Sequence, residues 1–407
     1  MSNPARRTAP SHDGTEKRLA TPSGHTSLGV VSRVPSIAET SADGWSGGAV
    51  PCGRGGSSDR ADTVSGSIAV IHGKVRPMHV ALFTLGGTIA MAGSDGSATG
   101  PVVNRLTGAD LTAAVPGLTE SGVRLRVQDV RAVPSADLTF ARILDVVAAG
   151  SRAVAEGAAG VVVTQGTDTL EETAYLVDLV WPHPEPFVLT GAMRNPTLAG
   201  PDGPANLLAA VRVAAAEPAR GLGALVVLGD EIHAARRVRK THSSSTSAFA
   251  SPDTGPLGRV VEERVRILTA PPRHTPLPTP STAALAEARV ALYPATFDDD
   301  GALLAGLPGG HRGLVVAGFG VGHVSSALAP TLGALAERIP VVLTSRTGAG
   351  PVLRHTYGAI GSETDLQRRG LLGGGLLDPY KARVLLRLLL ASGADRATIT
   401  AAFAEHG

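Results

Sequence analysis

The fold is indicated most clearly by residues 160–180, which read GVVVTQGTDTLEETAYLVDLV. Residues 160–164 form a short, nearly continuous apolar run, the pattern of a strand that is buried on both faces of a sheet. Residues 169–180 have the apolar spacing of a helix, and a polar turn with one glycine joins the two segments. This strand–turn–helix unit predicts a parallel sheet that is covered by helices.

Strands and helices are predicted to alternate on both sides of this unit. Further apolar runs predict strands at 80–85, within 123–133, and at 187–190, 224–228, 289–293, 313–316 and 340–344. Apolar residues with helical spacing predict helices at 109–115, 138–155, 204–216, 325–337 and 379–391. The fold class is therefore α/β, with two domains and no internal repeat.

The predicted domains are separated by a proline-rich segment. Residues 271–280 contain five prolines in ten residues and are predicted to be a linker. A larger N-terminal parallel-sheet domain is predicted at 78–270 and a smaller C-terminal α/β domain at 281–407. Residues 1–77 are rich in Ser, Gly, Thr, Pro and Arg and are predicted to be a flexible extension, and the composition leaves open whether the mature protein includes them.

Composition argues against several classes of protein. The net charge of +2 and the aromatic content of 3% do not favour a nucleic-acid partner. The single cysteine, Cys52, can form neither an intrachain disulfide nor a cysteine-based zinc site. The sequence has no apolar run long enough to span a bilayer and no apolar N-terminal stretch of the signal-peptide kind. We therefore expect a cytoplasmic protein without a membrane partner.

Polar clusters at predicted strand ends are candidates for chemistry, because ligands of parallel sheets bind beyond the carboxyl ends of the strands. In residues 84–90, TLGGTIA, the pair Gly86-Gly87 allows a tight turn that displays Thr88. The Thr88 hydroxyl could act as a nucleophile if a base lies near it. The alternative is an ordinary glycine turn followed by a helix cap.

Two more clusters follow. Thr167 and Asp168 lie at a predicted helix start, where one or two such residues are explained by capping, and Gly166 leaves backbone N–H groups free to face an anion. Residues 236–242, RRVRKTH, have the composition of a solvated basic face. A single lysine of this run, Lys240, would be a plausible proton acceptor if the fold brought it next to Thr167 and Asp168.

These segments resemble the signature stretches of bacterial-type L-asparaginases. The resemblance includes 85–90, 165–174 and 238–241, together with LTGAMR at 189–194, DGP at 202–204, and LDP at 377–379 with KAR at 381–383. It extends from about residue 80 to the C-terminus. It implies a larger N-terminal and a smaller C-terminal α/β domain, L-asparagine as substrate, a homodimer or homotetramer, and no metal or other cofactor.

The resemblance also implies roles for individual residues. Thr88 matches the nucleophilic threonine, and Thr167, Asp168 and Lys240 match the family's Thr-Asp-Lys set. Substrate-binding positions are implied as follows: Ser135 for the α-carboxylate, Asp168 for the α-amino group, Gly166 beside the oxyanion, Ala192 through a carbonyl near the amide nitrogen, and Glu363 from a neighbouring subunit.

The sequence departs from the family pattern at several positions. Leu85 stands where relatives often have threonine, Gln165 where many have histidine, and Ala136 where many have glutamine. The predicted lid at 91–104 contains Pro101 at the place of a frequent catalytic tyrosine, and it has no tyrosine elsewhere. These departures leave the turnover rate and the preference between asparagine and glutamine open.

Four other interpretations of the sequence are possible. GFGVGH at 318–323 is similar to a dinucleotide fingerprint, but His323 stands at the third glycine position. Asp230, Glu231 and His233 could be a fragment of a metal site, and a surface loop explains them more simply. The same motifs occur in the asparaginase-like subunit of archaeal-type tRNA-dependent amidotransferases. A catalytically weak amino-acid-binding protein is the remaining alternative, and ammonia release from asparagine distinguishes both proteins from an asparaginase.

Overall fold

The structure is a computed structural model that describes residues 78–93 and 102–407. The predicted extension at 1–77 and the Pro101 position of the predicted lid lie outside the described residues. The strands, in chain order, are β1 His79–Thr84, β2 Met91–Gly93, β3 Val102–Asn104, β4 Arg124–Asp129, β5 Ala158–Thr164, β6 Phe187–Thr190, β7 Ala224–Leu228, β8 Glu231–Ala234, β9 Arg239–Lys240, β10 Phe249–Ala250, β11 Gly258–Val261, β12 Arg264–Ile267, β13 Val290–Pro294, β14 Gly313–Gly318, β15 Val341–Ser345 and β16 Leu372–Gly373. The helices are α1 Gly108–Ala113, α2 Phe140–Ala155, α3 Leu170–Val180, α4 Gly203–Ala215, α5 Thr282–Glu287, α6 Leu328–Ala336, α7 Glu363–Arg368, α8 Pro379–Ala391 and α9 Arg396–His406.

The larger sheet has eight strands in the order β12-β11-β8-β7-β6-β5-β1-β4. Strands β4, β1, β5, β6 and β7 pair in parallel, as predicted. The remaining strands, β8, β11 and β12, pair antiparallel, so the larger sheet is predominantly parallel with an antiparallel edge. β8 and β12 each follow a two-residue turn, after β7 and β11, which returns the chain at once, whereas a parallel strand needs a long crossover.

The central strands are buried on both faces, which explains their apolar composition. In β5, Val161 and Val163 belong to the core that includes the buried faces of α2 and α3. Val162, between them, belongs to the core on the opposite face with α4. Because successive side chains of a strand point to opposite faces, a continuous apolar run fills both cores.

The smaller sheet has the order β13-β14-β15-β16, and all of its strands pair in parallel. Helix α8 follows this sheet in sequence and packs against α3 of the first domain. Its residues Leu385 and Leu388 lie in the same hydrophobic core as Leu176 and Val177 of α3. The two sheets therefore share a core through α8, which fixes the position of one domain on the other.

The proline-rich segment 271–280 contains neither helix nor strand. It is fastened to the first domain: the Leu277 N–H donates to the Leu179 carbonyl at 2.7 Å, and Arg273 donates to the His183 carbonyl at 2.8 Å. Among the residues that the structure describes, no helix is both long and apolar enough to cross a membrane.

Candidate active site

Three turns lie at the carboxyl ends of the neighbouring parallel strands β1, β5 and β6. Thr88 begins a short 3₁₀ turn after β1, Thr167 begins one after β5, and Ala192 follows β6. The Leu85 N–H donates to the Thr164 carbonyl at 2.9 Å, and the Gln165 N–H donates to the Thr190 carbonyl at 3.1 Å. These bonds continue the sheet beyond the strand ends, so all three turns are presented at one edge.

The turn with Thr88 packs backbone to backbone against the turn with Thr167. Gly86 and Gly87 both have a φ of 89°, which side chains of L-residues rarely tolerate. A Cβ built on Gly87 would lie 2.2 Å from the Gly166 nitrogen. Glycine at 87 therefore does two things: it allows the turn, and it lets Thr88 come close to the Gly166–Thr167 backbone.

Gly87→Ala is expected to destabilise the fold more than Gly157→Ala. Gly157 has a comparable φ of 94°, but among the described residues nothing lies within 4 Å of a Cβ built there, so Gly157→Ala costs only the conformational strain of about 1–2 kcal/mol. Alanine at 87 also forces two backbones apart, which adds about 1–3 kcal/mol. Urea unfolding of both variants measures the difference. Equal losses would show that the two turns do not pack closely.

Ser135 lies beside the second turn. It begins a 3₁₀ turn after β4, and its backbone carbonyl accepts a hydrogen bond from the Thr169 hydroxyl at 3.1 Å. A Cβ on Gly166 would lie 2.8 Å from the Ser135 Oγ. This Oγ is buried and has no hydrogen-bond partner among the described residues. Since buried hydroxyls are nearly always satisfied, the Ser135 hydroxyl is well suited to bind a polar ligand atom.

Lys240 reaches the second turn from β9. Its Nζ donates to Thr167 Oγ1 at 2.9 Å and to Asp168 Oδ1 at 2.7 Å. The Lys240 and Asp168 side chains are 15% and 76% exposed, so the ammonium is largely covered while the carboxylate remains open to a ligand. Thr167 is buried. The structure thus brings together the three residues that the resemblance groups.

A buried charged network supports the strand of Lys240. The Glu171 carboxylate accepts the Lys240 backbone N–H at 2.8 Å. The fully buried Lys381 donates to the Val238 carbonyl at 2.6 Å and to Asp378 Oδ2 at 2.7 Å. Burial raises the pKa of Glu171, and the positive charge of Lys381 opposes that rise.

No local pattern in the sequence indicates a role for this network. The resemblance covers Asp378 and Lys381 but implies no role for either residue. The pairing of the short run around residue 240 with residues 171 and 381 depends on contacts between distant parts of the chain. We expect these residues to position Lys240 rather than to touch a substrate.

Ala192 lies in the third turn and is completely buried. A Cβ on Gly203 would lie 3.4 Å from the Ala192 Cβ and 2.8 Å from Ile89 Cγ1, so the third turn and the turn of Thr88 meet at the start of α4. Asp202 holds the segment after Ala192 by accepting the backbone N–H groups of Met193 at 3.1 Å and Arg194 at 2.9 Å.

Glu363 is the first residue of α7 and is completely buried in the chain. Its carboxylate accepts the N–H groups of Thr356 at 2.9 Å and Tyr357 at 2.7 Å and pairs with His323 Nε2 at 3.0 Å. Burial alone would raise the pKa of Glu363, but the hydrogen bonds from Tyr357, Thr356 and His323 lower it below its usual value.

The departures from the family pattern are partly visible. Gln165 is buried, and its Nε2 donates to Thr173 Oγ1 at 3.3 Å, so it packs beneath the second turn. Ala136 is exposed beside Ser135. The start and the end of the predicted lid pair as β2 and β3, and the segment between them lies outside the described residues.

The two sequence patterns that suggested other ligands have local explanations. Within 318–323, the Phe319 N–H donates to the His323 carbonyl at 2.7 Å, which closes a tight turn. His233 is buried, bonds Ser251 Oγ at 3.0 Å and lies 3.2 Å from Glu231.

Three side chains elsewhere have possible metal-ligand atoms that all lie within 4.8 Å of one another. His274, Glu405 and His406 could each offer one ligand atom. There, however, Arg236 lies 2.6 Å from His274 Nε2, and a guanidinium next to the ring opposes a bound cation.

Comparison with known proteins identifies the family of the chain. The family models "Asparaginase, N-terminal" and "Glutaminase/Asparaginase C-terminal domain" match residues 79–273 and 289–403. The chain is 38% identical to a probable L-asparaginase of Deinococcus radiodurans over 80% of this chain and 97% of that protein. It is 33% identical to a glutaminase-asparaginase of Pseudomonas fluorescens over 82% of this chain and 92% of that protein.

A solved structure gives the same result. The probable cytoplasmic L-asparaginase of Campylobacter jejuni superposes with a TM-score of 0.72 at 32% identity, over 80% of this chain and 99% of that chain. The two family domains in the expected order, and the 38% identity to a relative over 97% of its length, show that the chain belongs to the asparaginase family of amidohydrolases.

Proposed function

We propose that this protein is an L-asparaginase that hydrolyses the side-chain amide of L-asparagine to L-aspartate and ammonia, with Thr88 as the nucleophile. The observation that supports this most is the bridge from Lys240 Nζ to Thr167 and Asp168, next to the turn that displays Thr88. The proposal uses no metal or other cofactor.

In the proposed reaction, the Thr88 hydroxyl oxygen attacks the side-chain amide carbon of asparagine. Backbone N–H groups around Gly87–Thr88 and Gly166–Thr167 stabilise the negative oxygen of the tetrahedral intermediate. The C–N bond then breaks, and the hydroxyl proton, relayed through Thr167 and Lys240, leaves with ammonia. Water attacks the resulting ester, forms aspartate and returns a proton to the Thr88 oxygen.

Substrate orientation is proposed to come from groups that the chain itself leaves available. The buried hydroxyl of Ser135, which has no hydrogen-bond partner in the part of the chain that the structure describes, binds the α-carboxylate. The exposed carboxylate of Asp168 binds the α-ammonium, and the Ala192 carbonyl lies near the amide nitrogen. Holding the substrate at both charged ends aligns its amide carbon with the nucleophile.

A coupled assay of ammonia release from purified protein tests this proposal. An asparaginase releases ammonia and aspartate in equal amounts from free asparagine. A subunit of a tRNA-dependent amidotransferase would not do so without RNA, and an amino-acid-binding protein would bind asparagine without turnover. Either of these results would replace the proposal.

We expect asparagine to be preferred and glutamine to be hydrolysed measurably, since a pocket discriminates a single methylene by only roughly 10–200-fold. Ala136, exposed beside Ser135, leaves room for the longer substrate. Ala136→Gln should therefore lower the ratio of kcat/KM for glutamine to that for asparagine. An unchanged ratio, or glutamine turnover below detection in the parent protein, would refute this account.

We also propose a homodimer or homotetramer in which Glu363 acts on the substrate of a neighbouring subunit. Its carboxylate is buried in the single chain and bonded by Thr356, Tyr357 and His323, so the proposal requires the Glu363 side chain to leave these partners when it meets the neighbouring subunit's substrate. Glu363→Gln removes the charge and keeps an oxygen that can accept the two backbone N–H groups.

Mixing Thr88→Ala chains with Glu363→Gln chains tests this arrangement. Each pure variant is expected to be nearly inactive. Random re-pairing gives hybrid dimers with one complete site, so about one quarter of all sites recover. Hybrid dimers without activity, or a protein that is monomeric in solution, would contradict the arrangement.

The cytoplasmic location stays a prediction. The relative from Campylobacter jejuni is named a probable cytoplasmic L-asparaginase, whereas the relative from Haemophilus influenzae is named a probable periplasmic one.

A further inference from the structure

A cavity of about 260 Å³ lies where α2, α3 and α8 meet, outside the site of Thr88 and Lys240. Its volume is roughly nine times the share of about 30 Å³ that one water molecule takes in the liquid. The cavity lies at the junction of the two domains, because α2 and α3 belong to the first domain and α8 to the second. It therefore has room for a small organic molecule and not for a macromolecule.

Both negatively and positively charged side chains line this cavity, and these lining residues form no ion pair with each other. Glu172 of α3 and Arg383 and Arg387 of α8 are lining residues. Among the described residues, no cationic group lies within the ion-pair distance of 4.0 Å from the Glu172 carboxylate. Burial raises the pKa of Glu172, and the more distant charge of Arg383 opposes that rise.

The arginine side has an excess of positive charge. The Arg387 Nε is buried and has no hydrogen-bond partner in the described part of the chain. Burial is the main cause that lowers the pKa of Arg387, and the positive charges of Arg383 and Arg289 lower this pKa further. A carboxylate next to Arg387 would supply the missing acceptor and offset this repulsion.

The rest of the wall is largely apolar. Besides the charged groups and three threonines, the cavity is lined by Leu138, Phe140, Ile143, Leu176 and Val384. The guanidinium of Arg387 lies 4.5 Å from the centre of the Phe140 ring, which holds it against this wall. An occupant with an apolar body and two opposite charges would match all three parts of the lining.

We propose that this cavity binds a free α-amino acid with an apolar side chain, with the ammonium on Glu172, the carboxylate on Arg387 and Arg383, and the side chain on the apolar wall. Thr169 also lines the cavity, and its hydroxyl donates to the Ser135 carbonyl at 3.1 Å. An occupant therefore alters the segment that we propose binds the substrate carboxylate. This second part rests on the proposed function, whereas the binding itself does not.

Binding is tested on the full chain by calorimetry and by thermal stabilisation, with L-leucine as the probe. Two analogues remove one charge each: 4-methylpentanoate lacks the ammonium, and 3-methylbutylamine lacks the carboxylate. We expect leucine to raise the unfolding temperature at millimolar concentration and each analogue to bind at least about tenfold more weakly, the effect of one lost charge-assisted hydrogen bond.

Variants assign the site. Glu172→Gln and Arg387→Gln are each expected to weaken leucine binding at least about tenfold. Glu337→Gln, which changes an exposed carboxylate on the second domain, should leave it unchanged. Asp168→Asn should also leave it unchanged, which separates this cavity from the substrate site. The unfolding temperature of each variant without ligand shows whether the variant is folded. If a variant is not folded, the binding of the two analogues to the parent protein tests the proposal instead.

Several outcomes would overturn the proposal. Leucine binding that survives both cavity variants but is lost in Asp168→Asn would place the ligand in the substrate site. Equal binding of 4-methylpentanoate would make the cavity a simple carboxylate site. The coupling is tested by the KM for asparagine, which leucine should change in the parent protein and not in Glu172→Gln. If leucine binds but leaves the KM for asparagine unchanged, the coupling between the cavity and the substrate site is refuted, and the binding proposal stands.

Discussion

Thr88→Ala is expected to reduce asparagine hydrolysis by about 10⁴-fold or more, the scale of losses that follow removal of a covalent nucleophile. The structure gives a reason to expect little effect on stability, since Thr88 lies at the first position of a one-turn 3₁₀ segment that is held by backbone bonds. The measurement is kcat/KM from ammonia release, together with the unfolding temperature of the variant.

Thr88→Ser is the matched control for this prediction. It keeps the attacking oxygen and removes one methyl group, so it should retain a large part of the activity. Mass spectrometry after rapid quenching should find an acylated protein for the parent and not for Thr88→Ala. Full activity in Thr88→Ala would assign the nucleophile to another group, and Thr167 would be the first candidate because its hydroxyl faces Lys240.

Lys240→Met is expected to reduce kcat by about 10²–10⁴-fold, the usual effect of removing a group that transfers a proton. Methionine has nearly the same length as lysine but cannot bridge Thr167 and Asp168. The backbone bond from residue 240 to Glu171 is independent of the side chain, so β9 should keep its place. Steady-state kinetics and circular dichroism measure the two effects separately.

The double variant Thr88→Ala with Lys240→Met distinguishes a relay from independent contributions. If Lys240 acts only by serving the attack of Thr88, the double variant is little worse than Thr88→Ala alone, because residues that work as a unit are strongly non-additive. Losses that multiply would show that Lys240 contributes by another route, and the relay would have to be abandoned.

The regular elements of the parallel sheet could be predicted because each contains its own signal. β5 was predicted at 160–164 and extends over Ala158–Thr164, and α3 was predicted at 169–180 and extends over Leu170–Val180. Their burial on both faces demands a continuous apolar run or an apolar helix face.

Elements with weaker signals were missed. β12 has the sequence RVRI and is mostly exposed, and α7 has six residues. α9 buries only Ile399, Ala402, Phe403 and His406. Short or exposed elements have too few buried positions to show a period, so their place is decided by the surfaces on which they pack.

The candidate site divides in the same way. The glycine pair before Thr88 and the crowded helix start at Thr167 and Asp168 stand out in the sequence, because tight turns and helix termini need particular residue types. Lys240 does not stand out. Its run of basic residues is typical of a solvated surface, and only the resemblance separated this lysine from its neighbours.

The sequence by itself determined the α/β class, the two domains and the turns that display Thr88 and Thr167, since these follow from local apolar periods and turn chemistry. Only the tertiary structure decided which side chains contact each other. Lys240 contacts Thr167, and the buried Glu171 and Lys381 support the strand of Lys240. Glu363 is buried in its own domain. The physical reason is that a charged side chain is stable inside a protein only when distant segments supply its partners. Those partners are brought together by packing of α3 against α8, which no local pattern encodes.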